Sequence, residues 1–410
     1  MKAVGVIVEY NPFHNGHYYH LQQSVQKSDA NVVIAVMSGS FLQRGEPALV
    51  SKWQRTKMAL AGGVDVVVEL PYAFSTGKAE IFANGAISLL TELGADIVSF
   101  GSENGSIEPF ETTIEFLDNH EQAYNETLKT YLAEGCSYPK AASLAFQKLT
   151  PDHSQLVDLS KPNNILGFHY VKAIKDQNSP IRPQTIARTG ADYHDRELGM
   201  RPIASATGIR TAIVEEGKPL ESVKRFVPDF TYQILEEFRN RHRHFNSWEQ
   251  LFPYLKFRLL TSRPHELAAL YEAEEGLEHR LQSHSKQAET FDEFMNRVKT
   301  KRYTWTRLQR FCVHLLTATT KTDMENIINK PRATYIRLLG MSDKGRDYLN
   351  AIKKDLRIPL VSTVSRFENP LLELDIRASD CYALGYSGAA QTELLAAEYA
   401  TPPIQWTPTS

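Results

Sequence analysis

The chain has 410 residues, 42% of them hydrophobic and 23% charged, with a formal net charge of -2. That balance excludes a disordered or fibrous chain, and the length suggests two or three domains. No apolar run is long enough to cross a bilayer, and Met1-Lys2-Ala3-Val4-Gly5-Val6 leads into a strand-like run rather than a signal peptide.

The first hundred residues alternate apolar runs with helical patterns. Strands are expected at Val4 to Tyr10, Asn31 to Met37, Asp65 to Leu70 and Asp96 to Phe100. Helices are expected at His17 to Lys27, Lys52 to Ala61 and Lys78 to Leu93. Continuous apolar strands separated by helices predict a doubly wound, Rossmann-like α/β domain with a parallel sheet covered on both faces. Further on, a helix is expected at Ile165 to Lys175 and a strand at Ile181 to Arg188. Ile203 to Arg210 reads as a loop entering a helix at Thr211 to Glu216. Beyond about residue 218, charged stretches with helical apolar spacing dominate, as in Phe226 to Phe238 and Trp305 to Thr317. The predicted organisation is an α/β domain over 1–217 and a mainly α-helical region over 218–410. A strand is expected within Leu371 to Tyr386, and partial disorder from Thr401 onward. Cys136, Cys312 and Cys381 are far apart and form no C-x-x-C pair, so neither a zinc site nor a disulfide framework is expected.

The strongest local signal is Val8-Glu9-Tyr10-Asn11-Pro12-Phe13-His14-Asn15-Gly16-His17, where a buried strand hands over to a helix. Free backbone N–H groups and the positive helix end favour an anion there. Gly16 allows close approach of a nucleotide, and Asn11-Pro12 suits the turn out of the strand. When a nucleophile attacks the α-phosphorus of ATP, charge accumulates on phosphate oxygens, and histidine N–H donors stabilise it without a covalent step. A second motif, Ile203-Ala204-Ser205-Ala206-Thr207-Gly208-Ile209-Arg210, brings hydroxyls and a guanidinium to a helix start, suited to the β- and γ-phosphates.

These motifs resemble the two signatures of the nucleotidyltransferase superfamily, [ST]-F-[DN]-P-x-H-x-G-H and I-S-S-T-x-I-R. The first is altered by Val8, Glu9 and Tyr10, and the second by Ala206. The departures match a narrower bacterial family, the tRNA(Met) cytidine acetate ligases. That resemblance extends through Met37-Ser38-Gly39-Ser40-Phe41-Leu42-Gln43-Arg44-Gly45-Glu46-Pro47-Ala48, Ser51-Lys52-Trp53 and Arg55-Thr56. It continues in Phe100-Gly101-Ser102-Glu103, Lys161-Pro162-Asn163-Asn164-Ile165-Leu166-Gly167, Arg188 and Lys301-Arg302-Tyr303-Thr304-Trp305-Thr306-Arg307.

The resemblance implies activation of acetate by ATP to acetyl-adenylate and pyrophosphate, then transfer of acetyl to N4 of the wobble cytidine of elongator tRNA(Met). It implies an ATP pocket of Ile7, Val8, Glu9, Tyr10, Asn11, Pro12, Phe13, His14, Asn15, Gly16, His17, Tyr18, Tyr19 and His20, with Gly101, Asn163 or Asn164, and Arg188. Within it, His14 and His17 are the expected catalytic phosphate contacts, and Ser205, Thr207 and Arg210 hold the polyphosphate. Gly101 suits approach to adenine or ribose, or is a plain turn glycine. Asn163 and Asn164 contact base or ribose, or cap a helix. Arg188 neutralises phosphate or makes a surface ion pair. Glu9 orients a basic group, helps deprotonate the cytidine amine, or is a structural partner of His14.

For tRNA, the expected contacts are Lys52, Arg55, Lys299, Lys301, Arg302, Trp305 and Arg307. Lys52 and Arg55 are equally readable as pyrophosphate contacts or as a surface helix, and Trp305 as core packing. The stretch Arg297 to Arg310 holds no acid, which fits a phosphate backbone or a solvated helix face. Mg²⁺ is expected to enter with ATP, held by phosphates and water. A cytoplasmic protein with no metal site of its own, no membrane partner and no stable protein partner is expected. Two other functions share these features: a coenzyme adenylyltransferase using the same ATP site, and a tRNA-binding protein with a vestigial nucleotide site.

Overall fold

The computed structural model describes residues 1–150, 156–187, 204–274 and 276–407. Five parallel strands form the heart of the sheet: β1 (Ala3–Val8), β2 (Val32–Ser38), β3 (Val66–Leu70), β4 (Ile97–Ser102) and β5 (Arg182–Ala187). Their order is β5-β4-β1-β2-β3, with Ala3 opposite Val32 and Val4 opposite Ile97. The sequence Val-Val-Ile-Ala-Val-Met-Ser of β2 is buried at every position, as a central strand covered on both faces requires. Burying one Val or Ile side chain contributes roughly 1.5–3 kcal/mol, so such a strand is a main anchor of the core. The chain runs from β1 to β2 and β3 on one side, then crosses back to β4 and β5 on the other. β1 and β4 therefore flank a topological switch point, and a crevice opens beyond their carboxyl ends.

The strand expectations hold to within one or two residues up to β4. The helix over Lys52–Ala61, labelled α2, has the expected bounds, and α1 spans Asn15–Ser28. The division near residue 217 does not separate two units. Three strands from the C-terminal half extend the same sheet: β6 (Ile336–Ser342), β7 (Leu360–Val361) and β8 (Ile404–Trp406). β6 lies antiparallel to β3, while β7 and β8 pair with β6 in parallel. One buried apolar cluster runs from Ala3 to Leu394. The strand expected within Leu371 to Tyr386 is instead a helix, Pro370–Ala383. Its start is set by Asn369, whose side chain accepts the N–H of Leu371, and by Pro370 in the first turn. The tail carries β8, and residues 408–410 lie outside the described residues.

Between β4 and the helix Pro162–Asp176 lie three helices not expected from the sequence: Glu108–Asn119, Glu121–Ala133 and Tyr138–Leu149. The latter two enclose a small apolar cluster of their own around Leu128, Ala141 and Ala145. The helix expected from Thr211 starts earlier, at Ala206, and continues as a wider turn over Thr211–Glu215. Ile203 and Arg188 lie outside the described residues.

Candidate active site

The segment leaving β1 is held in an unusual path. Tyr10 adopts a left-handed backbone (φ 49°), and the Asn11–Pro12 peptide is cis. Phe13 is buried against Tyr10 and Phe230, which fixes the loop from below. His14 then caps α1. Its Nδ1 accepts the backbone N–H groups of Gly16 (3.0 Å) and His17 (3.4 Å), while His17 Nδ1 accepts the N–H of His14 (3.3 Å). The two rings stack with centroids 3.7 Å apart. In the neutral imidazole only one nitrogen accepts, so both rings carry their hydrogen on Nε2. This sharpens the expectation of free amides: the N–H groups of Gly16 and His17 are engaged by His14. An anion at this helix end would meet two Nε2–H donors and the helix dipole.

These residues line a cavity of about 1260 Å³. It takes in Ile7 to Asn11, His14, Gly16, His17, Tyr19 and His20, together with Gly101 at the end of β4. Pro12, Phe13, Asn15 and Tyr18 are not on its wall; Asn15 instead donates to the carbonyl of Arg225 (3.0 Å). Ser205, Thr207 and Arg210 line the same cavity. Ser205 caps the helix Ala206–Arg210 by accepting the N–H of Gly208 (2.9 Å). Arg210 ties the two motifs together: Nη1 donates to the carbonyl of Asn11 (2.9 Å) and Nη2 to Glu46 (2.6 Å). Asn163 lines the cavity, whereas Asn164 does not. The Asn164 side chain accepts the N–H of Glu103 (3.1 Å) and donates to the carbonyl of Asp158 (3.1 Å). Neither asparagine caps its helix. The Glu103 carboxylate does so, accepting the N–H groups of Asn163 (3.4 Å) and Asn164 (2.9 Å) and the side-chain amide of Asn163 (2.7 Å).

Lys52 and Arg55 cannot meet RNA or pyrophosphate where they stand, because both are buried. Lys52 bridges Glu69 (2.7 Å) and Glu398 (2.6 Å). Arg55 donates to the carbonyls of Glu9 (2.8 Å), Ser38 (2.9 Å) and Gly39, closing the carboxyl ends of β1 and β2. Burial pulls its guanidinium down to about 10. Charge alone suggested a surface helix; the cations are inside because buried carboxylates and strand-end carbonyls need them. Within the basic stretch, Arg302 and Arg307 reach the cavity, and Lys299, Lys301 and Trp305 do not. Arg307 pairs with Glu274 (2.6 Å) over the ring of Tyr303, and Trp305 packs partly buried against the core. Arg310 is buried beside Glu272 (3.0 Å), and Arg297 pairs with Glu293 (2.7 Å).

The family model described as HIGH Nucleotidyl Transferase matches residues 1–396. The tRNA(Met) cytidine acetate ligase of Halalkalibacterium halodurans is 50% identical, over 99% of this chain and 97% of that protein. Its counterpart in Bacillus subtilis is 49% identical, over 99% and 98%. This chain belongs to the tRNA(Met) cytidine acetate ligase family. Among solved structures, apo Thermotoga maritima TmcAL matches with a TM-score of 0.91 at 32% identity, covering 99% of both chains. The form of TmcAL bound with alpha-thio ATP matches with a TM-score of 0.88 at 31% identity, again over 99% of both.

In this member of the family, several cavity residues carry no role that the sequence suggests. Gln43, Arg44 and Glu46 come from the β2–α2 loop, Lys78 from the start of the helix Ala79–Glu92, and Tyr124 and Tyr138 from the inserted helices. The stretch Met37 to Ala48 is part of the resemblance, but its residues show no chemistry until Arg210 and Glu9 are seen against them. Gln43 N–H donates to Glu9 (2.8 Å), and Glu46 accepts from Arg210.

Proposed function

We propose that this chain is an ATP-dependent tRNA(Met) cytidine acetate ligase. A carboxylate oxygen of acetate attacks the α-phosphorus of ATP, pyrophosphate leaves, and acetyl-adenylate forms. The acetyl group then passes to N4 of the wobble cytidine of elongator tRNA(Met). The observation that carries this reading is the bond from Arg210 to Asn11, which joins both nucleotide motifs on one wall of a cavity that also reaches Arg302 and Arg307. His14 and His17 present Nε2–H groups where charge grows on the α-phosphate oxygens, and such donors are worth roughly 10²–10³ in rate each. Ser205, Thr207 and Arg210 take the polyphosphate side. The Arg210 guanidinium now held by Glu46 would turn to phosphate, a stronger, doubly charged acceptor. Mg²⁺ enters as part of the MgATP substrate, held by phosphate oxygens and water. No helix among the described residues is long and apolar enough to cross a membrane, and we place the reaction in the cytoplasm, where tRNA and ATP meet.

The test is incubation with ATP, acetate and tRNA(Met), followed by mass spectrometry of the anticodon nucleoside. An acetyl mass increment on the wobble cytidine is expected. ATP–pyrophosphate exchange should depend on acetate. Exchange driven only by a phosphate ester would replace the ligase with a coenzyme adenylyltransferase, and tRNA binding without turnover would leave only a binding protein.

A further inference from the structure

The two half-reactions differ in their need for a base. Acetate is already ionised and attacks phosphorus without losing a proton. The exocyclic amine of cytidine must lose one when it becomes an amide. The two histidines are poorly placed to take it, because their lone-pair nitrogens already accept backbone N–H groups: His14 Nδ1 from Gly16 and His17, and His17 Nδ1 from His14. What they turn outward in the neutral form is a donor.

Among the described residues, six carboxylates line the cavity. Glu46 is paired with Arg210, Asp118 with Lys175 and Glu274 with Arg307. Glu80 and Glu121 belong to the first turns of the helices Ala79–Glu92 and Glu121–Ala133 rather than to the segment that leaves β1. The remaining one, Glu9, directly follows β1 and precedes the histidine loop. Its Oε1 is pinned by the backbone N–H of Gln43 at 2.8 Å, and its own carbonyl is held by Arg55. The carboxylate is therefore fixed in direction by a neutral donor rather than neutralised by a bonded cation.

We propose that Glu9 is the general base of the acetyl-transfer step, resting on the ligase reading above. The N4 lone pair of cytidine attacks the carbonyl carbon of acetyl-adenylate and forms the N–C bond. The bond from that carbon to the phosphate oxygen breaks, and AMP leaves with the electron pair. The N4 proton passes to Glu9. The charge surroundings suit the task. Desolvation raises the affinity of Glu9 for a proton, Glu46 adds to it, and the Gln43 amide, Arg44 and Arg210 moderate it. Arg55 of α2 also faces it. Its folded pKa thus lies above the ordinary carboxylate value, which makes it a stronger base than a solvated glutamate.

Glu9→Gln keeps an acceptor for the Gln43 amide and removes only the basicity. Single-turnover transfer from preformed acetyl-adenylate to tRNA should fall by about 10²-fold or more relative to any change in acetate-dependent pyrophosphate exchange. In the wild type, transfer should fall on the acid side as Glu9 takes up a proton. Glu46→Gln should move that limb to lower pH by removing the neighbouring negative charge. Equal loss of exchange and transfer would make Glu9 part of the ATP site and overturn the proposal. Unchanged transfer would also overturn it, leaving the departing phosphate to take the proton. Should Glu9→Gln fail to fold, the wild-type profile decides, and a transfer rate that shows no fall on the acid side above the ordinary carboxylate value overturns the proposal. Absence of acetate-dependent exchange in the wild type would defeat the ligase reading itself, a distinct outcome.

Discussion

Replacing Lys52 by Met tests the inside-out reading of a residue whose charge suggested the surface. The ammonium lies between Glu69 (2.7 Å) and Glu398 (2.6 Å), and all three side chains are almost wholly buried. Met fills a similar volume but leaves two carboxylates facing each other without the cation. Removing one partner of a buried ionic cluster costs about 3–5 kcal/mol. At about 2.1 cal/mol/K per residue, the 410-residue chain has an unfolding entropy near 0.9 kcal/mol/K, so melting should fall by about 4–6 °C for a single cooperative transition. The pH dependence follows from signs. Burial alone would pull Lys52 down, but Glu398 and Glu69 hold it above its ordinary value, so its contribution is complete at neutral pH and fades only as pH rises through that raised value. Burial pushes Glu69 up, and Lys52 offsets part of that. Without Lys52, Glu69 rises further. Between that further-raised value and the wild type's own raised one, the folded variant holds a proton that the folded wild type does not, so its deficit relative to wild type shrinks as pH falls through that window. Differential scanning calorimetry at several pH values measures both effects. A variant melting within about 1 °C of wild type at neutral pH would refute the buried-cluster reading.

His17→Ala removes an Nε2–H donor and the acceptor of the His14 amide, and acetate-dependent exchange should fall by about 10²–10³ in kcat while tRNA affinity falls far less. Comparable loss of both would deny the separation of the two binding functions. The double substitution Arg302→Ala with Arg307→Ala should weaken tRNA binding and flatten its salt dependence by about one unit of slope for each phosphate no longer neutralised, read by filter binding across salt concentrations. An unchanged slope would mean that these cavity-lining cations do not touch the backbone.

The parallel strands are legible in the sequence because burial on both faces leaves a continuous apolar run, as in β2, and the pattern places α2 to the residue. What is not legible depends on partners distant in sequence. Nothing near Lys52 indicates that its counter-ions are Glu69 and a glutamate 346 positions on. β6, Ile-Arg-Leu-Leu-Gly-Met-Ser, is hidden inside a half that otherwise reads as helical, and its edge-extending role rests on β3 and β8. The stretch after Leu371 is a different case. Asn369-Pro370 is a local helix-start signal, and weighing it above the apolar content gives the helix. At the site, both nucleotide motifs are visible, but the tautomers of His14 and His17 follow from hydrogen bonds that only the folded turn reveals.

The β2–α2 loop explains why a boundary near residue 217 fails physically. Its backbone and side chains bond to every part that the boundary would separate. Gln43 holds Glu9 and Glu46 holds Arg210, while Leu49 N–H donates to Asn11 (2.7 Å), so the loop grips both nucleotide motifs. The same loop accepts from the helical half: Trp248 Nε1 donates to the carbonyl of Gly45 (2.8 Å) and Asn246 N–H to that of Leu49 (3.1 Å). Gly45 has a left-handed backbone (φ 76°) and no room for a Cβ beside the backbone of Arg310, so loop and helix Trp305–Leu316 meet main chain to main chain. A loop that bonds Glu9 and Arg210 through Gln43 and Glu46, and abuts the helix bearing Arg307 through Gly45 between them, cannot shift against one without straining the other. The ATP motifs and the basic stretch are therefore held in one frame, and the cavity between them is built by the fold rather than by docking of independent domains.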